Sequence, residues 1–185
     1  MVVLTLFAMG APLLFSALFS NQNQGKIEVN RPIEAEYLRG GKEELQLVFF
    51  GYVGCTKICT PILHQLSDFY QSKAFEPLKG SVGFTFVNLM PEVTPDQPGI
   101  FAQSFNPAFR GVYLTQRRLM DIDRDFNLFF SKSIQDAGEI NHSDYVYLVR
   151  TEKNGDLKLI TIYMTHPLKR DTIVEDILAY QKGMK

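Results

Sequence analysis

No long basic run occurs in the 185 residues, and the net charge is −1. The chain therefore lacks the phosphate-neutralising surface that nucleic-acid binding needs, and that class of function is set aside. Cysteine is scarce: Cys55 and Cys59 are the only two. A single pair suits a periplasmic redox or metal site as well as a reduced cytosolic dithiol, so it leaves the compartment open. Charge is missing altogether from Val2 to Ser20, a stretch rich in Val, Leu, Phe and Ala. At about 1.5 Å per helical residue it reaches about 28 Å, close to the hydrocarbon thickness of a bilayer. A basic start is also absent, and small residues do not pair well before any obvious cut in Phe15-Ser16-Ala17-Leu18-Phe19-Ser20. An uncleaved membrane anchor over residues 1–20 is therefore expected over a cleaved signal peptide or a buried core helix. Lys26 and Arg31 follow among Glu28, Glu34 and Glu36, and this mixture does not orient the anchor.

What is present is enough apolar matter for one core: 45% hydrophobic residues against 21% charged. A polar linker over residues 21–30 and one domain over residues 31–185 are expected. Leu45-Gln46-Leu47-Val48-Phe49-Phe50 reads as a strand buried on both faces, broken by Gly51 and Gly54. Thr60 to Ser72 carries the helical stripe Ile62, Leu63, Leu66, Phe69 and Tyr70. A second buried strand covers Val82 to Leu89. The prolines from Pro91 to Pro98 predict a loop. Phe101 to Phe109 is read as a short helix and Val112 to Leu114 as extended. Thr115 is expected to cap a helix over Gln116 to Phe126. Tyr145–Arg150 and Leu157–Tyr163 flank Asn154-Gly155, a strong hairpin signal. A last amphipathic helix is predicted over Arg170 to Gln181. This order predicts an α/β, thioredoxin-like sandwich, a mixed sheet with helices on both faces, preceded by the N-terminal apolar helix. No internal repeat or low-complexity tract competes with it.

The two cysteines fall where the first buried strand gives way to its helix, at a strand's carboxyl end, where open α/β sheets collect their sites. If residues 57 onward are helical, sulfurs at i and i+4 share one face, close enough to bind a metal or oxidise together. Soft thiolates match Cu(I) or Zn(II), and a helix N-terminus favours the ionised form. Two unrelated buried thiols or a structural bridge remain alternatives. Among the three histidines, His64 lies half a turn out of phase with Cys55 and is expected in solvent. His166, before Pro167, is assigned a surface role. His142 precedes the strand Tyr145 to Arg150, where a ligand role competes with that of a solvated loop histidine.

The run Val48-Phe49-Phe50-Gly51-Tyr52-Val53-Gly54-Cys55-Thr56-Lys57-Ile58-Cys59 resembles the SCO family (SCO1/SenC/PrrC). So do Val87-Asn88-Leu89-Met90-Pro91-Glu92 with Thr94-Pro95, and His142-Ser143 leading into Tyr145-Val146-Tyr147-Leu148. The resemblance covers most of residues 33 to 182 in matching order. It implies a thioredoxin-like fold and copper held by Cys55, Cys59 and His142. It also implies a metallochaperone that helps assemble the CuA site of cytochrome c oxidase, with subunit II or another copper-acceptor protein as partner, and leaves open whether the dithiol also has thiol-disulfide reductase activity. The implied location is the inner membrane with the domain in the periplasm, or the mitochondrial intermembrane space. The chain departs from the family at Thr56 and Thr60, where prolines are usual, and at Lys57, where the usual residue is acidic. A positive charge there favours thiolates. Met90 replaces an aspartate, and core packing is expected of it over transient Cu(I) contact. The stretch before residue 45 looks too short for the family's usual opening hairpin, the mark of a trimmed or divergent member.

Three rival readings stand beside this one. A membrane-anchored thiol-disulfide oxidoreductase would reduce the cysteines of a copper acceptor through Cys55 and Cys59. A thioredoxin-like peroxidase would form a sulfenic acid at Cys55. A structural interaction module would not need the cysteines at all.

Overall fold

The computed structural model describes residues 25–133 and 139–183; the apolar helix and membrane anchor expected over residues 1–20 lie outside them. Leu45–Gly51 (β2) is buried along its whole length. It earns this by its place in the sheet: Val82–Asn88 (β3) pairs with it in parallel and Val146–Thr151 (β7) antiparallel. Lys26–Ile33 (β1), Arg110–Val112 (β4) and Leu157–Tyr163 (β8) complete a mixed sheet of order β1-β8-β7-β2-β3-β4. Side chains alternate along β2, so Leu45, Leu47 and Phe49 enter one core and Val48 and Phe50 the other.

The first core is closed by Cys59–Gln71 (α1), Gln97–Phe105 (α2) and Arg170–Gln181 (α5). The second is closed by Gln116–Leu119 (α3) and Ile122–Phe126 (α4), through Leu119, Ile122 and Phe126. Helices on both faces of a mixed sheet make the fold an α/β sandwich, as the order of elements predicts. The α1 stripe behaves as read: Ile62, Leu63, Leu66 and Phe69 are each at most 4% exposed. Burying each such side chain contributes about 1.5–3 kcal/mol. The hairpin also forms where predicted, with Gly155 at φ +87° in the turn between β7 and β8.

Four local expectations are corrected. The linker read over residues 21–30 ends sooner, because β1 begins at Lys26 and pairs antiparallel with β8. As an edge strand it is largely exposed and carries no apolar alternation to betray it; a bulge between Glu28 and Arg31, with Asn30 at φ +52°, breaks its register. The loop read up to Pro98 ends at Asp96, since Pro98 sits in the first turn of α2, where its missing N–H costs nothing. That helix therefore covers Gln97–Phe105 and not Phe101–Phe109. The single helix read over Gln116 to Phe126 is two, because i→i+3 bonds from Arg118 N to Thr115 O and from Asp121 N to Arg118 O tighten the chain into a turn. A strand pair, Phe130–Lys132 (β5) and Ile140–His142 (β6), was not foreseen. It forms a separate two-stranded sheet and carries the third histidine.

Candidate metal centre

Cys59 is the first residue of α1, while Cys55 lies in the turn before it, its N–H bonded to Tyr52 O at 3.2 Å. The cysteines therefore do not stack on one helical face as the spacing predicts. Instead Cys55 closes the start of the helix. Its sulfur accepts the Cys59 N–H at 3.2 Å, and its carbonyl accepts the Thr60 N–H at 3.2 Å and the Thr60 hydroxyl at 2.9 Å. A sulfur that accepts a free helix N-terminal N–H is favoured as a thiolate by both the bond and the helix dipole.

Both thiols are free and buried. The Cys59 thiol bonded to Cys55 draws the Cys55 pKa far below its usual range, against the opposing effect of burial. The backbone N–H groups of Cys59 and Ile58 add to the pull. The same contact with Cys55, together with burial, pushes the Cys59 thiol up. The pair thus shares one proton, which sits on Cys59.

His142 ends β6 and reaches this pair from the other side. Its Nδ1 lies 2.9 Å from the Ser143 carbonyl, which can only accept, so Nδ1 carries the hydrogen. That tautomer leaves the lone pair on Nε2, which faces Cys59 Sγ at 3.5 Å. Phe49 and Tyr52 meet the imidazole edge-on at 6.2 and 6.1 Å between ring centres and fix its plane. Burial, chiefly, and the Cys55 charge raise the Tyr52 phenol well above its ordinary pKa, keeping it neutral beside the thiolate.

The structure thus brings together all three residues expected as a site: the Cys55, Cys59 and His142 ligand atoms lie within 4.8 Å of one another. Two sulfurs and one imidazole suit a soft or borderline ion. Ligands at about 2.3 Å (S) and about 2.0 Å (N) from one ion stand roughly 3.5–3.7 Å apart, so the Cys59–His142 spacing already fits. The carbonyl behind Nδ1 is the partner that a metal-binding imidazole usually has.

The other candidates lie elsewhere. His64 is exposed with its ring against Phe105. His166 donates from Nε2 to the Asp144 carbonyl at 2.7 Å. Met90 is half-buried and packs against the core that includes the cysteines, as expected. Two contributors escaped the sequence reading. A Cβ on Gly51 would stand 2.7 Å from Cys59 Sγ, so only glycine leaves room for that sulfur. Glu139, just before β6, pairs with Lys57 at 2.6 Å. The strand break marked Gly51; nothing local marked Glu139.

Fold and site together define a thioredoxin-like α/β protein with a buried dithiol and a facing histidine. The family model described as SCO1/SenC matches residues 29–181, and the chain belongs to that family. An SCO2-like protein of Rickettsia prowazekii is 24% identical over an alignment of 150 residues, covering 73% of this chain and 70% of that protein. Two further SCO2-like relatives, from Rickettsia conorii and Rickettsia felis, are spanned over 56% and 66% of their lengths. The crystal structure of yeast Sco1 with copper bound matches with a TM-score of 0.61 at 17% identity, covering 84% of this chain and 90% of that one. BsSco is a Sco-family cytochrome c oxidase assembly protein in which a disulfide switch was identified. It matches with a TM-score of 0.58 at 18% identity, over 85% of this chain and 97% of its own. Among the described residues no helix is long and apolar enough to cross a membrane.

Proposed function

We propose that this chain is a copper-binding metallochaperone. Cys55, Cys59 and His142 hold the ion, and it serves assembly of the CuA site in subunit II of cytochrome c oxidase or of another copper acceptor. The observation that carries the reading is the convergence of the two sulfurs and a lone-pair nitrogen within 4.8 Å. Copper is cargo here. The Cys55 thiolate offers a first bond, Cys59 a second once it gives up its proton, and His142 Nε2 a third. An acceptor with similar ligands then takes the ion by stepwise exchange. The apolar stretch Val2–Ser20 anchors the domain to the inner membrane on its periplasmic side, or on the intermembrane-space side in a mitochondrion.

Competition titration tests the ligand set. Replacing His142 with alanine is expected to weaken Cu(II) binding sharply and Cu(I) binding less, because two thiolates alone satisfy a soft ion. Unchanged Cu(II) affinity would remove His142 from the site.

One observation favours a second reading. A thiolate beside a thiol that shares its proton is also the arrangement of a thiol-disulfide oxidoreductase, with Cys55 attacking and Cys59 resolving. A reduction potential near that of thioredoxin, with turnover on a disulfide substrate and no stoichiometric copper, would establish it instead.

A further inference from the structure

We infer that Lys57 and Glu139 form an ion pair that positions His142 over the two cysteines; the inference rests on the copper reading above. Lys57 lies between the cysteines and Glu139 three residues before His142, and Nζ stands 2.6 Å from Oε1. The pair therefore joins the loop that supplies the sulfurs to the hairpin that supplies the nitrogen.

The hairpin needs such ties. β5 and β6 hydrogen-bond to each other and join no strand of the main sheet, and two strands alone are marginal in water. Close packing holds it only in part: Phe130 and Ile140 pack against the core, but a cavity of about 330 Å³ lined by Met90, Pro91, Lys132 and Glu139 among others opens between it and the body. Ion pairs bridge the gap: Lys132 with Glu92 at 3.5 Å on β5, and Glu139 with Lys57 beside β6. The second lies nearer the site, and its lysine stands where the family places an acidic residue. Lys57 is 76% exposed, so salt screens the pair and its effect is modest.

Reversing each charge separates this role from simple attraction. A negative charge at 57 should by itself draw a cation closer, and a positive charge at 139 should repel it. Positioning predicts instead that both K57E and E139K weaken Cu(II) binding, each by about three- to fivefold, and more than they weaken Cu(I) binding. The double reversal K57E/E139K restores most of the loss. In the metal-free protein, amide exchange at Ile140–His142 quickens in each single variant and slows again in the double one. Tighter Cu(II) binding by K57E, unchanged exchange, or failure of the double reversal to rescue overturns the inference. If both single reversals leave Cu(II) affinity alone while His142→Ala lowers it, the positioning role falls and the ligand set stands. If His142→Ala has no effect, the ligand set falls and takes this inference with it.

Discussion

The shared proton sets the pH dependence of metal binding, and pH is the most direct probe of the site. Cys55 is held as a thiolate and Cys59 as a thiol. A metal that binds both sulfurs must expel the proton on Cys59. One proton leaves per ion, so Cu(I) affinity should rise about tenfold per pH unit, or about 1.4 kcal/mol, between pH 7 and 8. The sign follows from mass action: acid competes with the metal for sulfur, so affinity falls as pH falls. The slope steepens further in strongly acidic solution, where Cys55 itself takes up a proton. Competition titration against a Cu(I) chelator measures the slope. Calorimetry in buffers of different ionisation enthalpy counts the proton independently. Two ordinary thiols, each with a pKa near 8.5, would together release close to two protons and give a slope approaching a hundredfold per unit. That result would refute the shared-proton arrangement, and release of none would mean that Cys59 is ionised as well.

Two further outcomes test the surroundings of the site. Gly51→Ala puts a methyl group 2.7 Å from Cys59 Sγ and 3.1 Å from Phe86 Cε2. Overpacking should cost about 1–3 kcal/mol in chemical denaturation and displace the sulfur, and stability equal to wild type would contradict the contact. Asp176 is 3% exposed and receives Lys26 Nζ at 2.7 and 2.8 Å and the Tyr163 hydroxyl at 3.1 Å, tying β1 to α5. Asp176→Asn leaves Lys26, itself only 18% exposed, short of its main counter-charge and should destabilise the fold by roughly 3 kcal/mol; a change under about 0.5 kcal/mol would count against that clamp.

The sequence by itself determined the elements whose side chains answer to one local period. β2 and β3 are continuous apolar runs because both faces are covered. The α1 stripe at Ile62, Leu63, Leu66 and Phe69 and the turn at Asn154-Gly155 are likewise local chemistry. The cysteine pair was legible as a site for the same reason: it sits at the end of a buried strand, whatever the rest of the chain does. Tertiary structure alone decided what depends on residues far apart in the chain. β1 exists because β8 offers it a ladder, not because its own polar residues demand a strand. β5 and β6 are three residues each, too short for any periodicity, yet they deliver His142 to Cys59 across 83 positions. The tautomer of His142, the proton on Cys59, the room left by Gly51 and the pairing of Lys57 with Glu139 arise only when separate segments meet. Hydrogen bonds, charge and excluded volume act over a few ångströms of space, and sequence distance does not record which groups come that close.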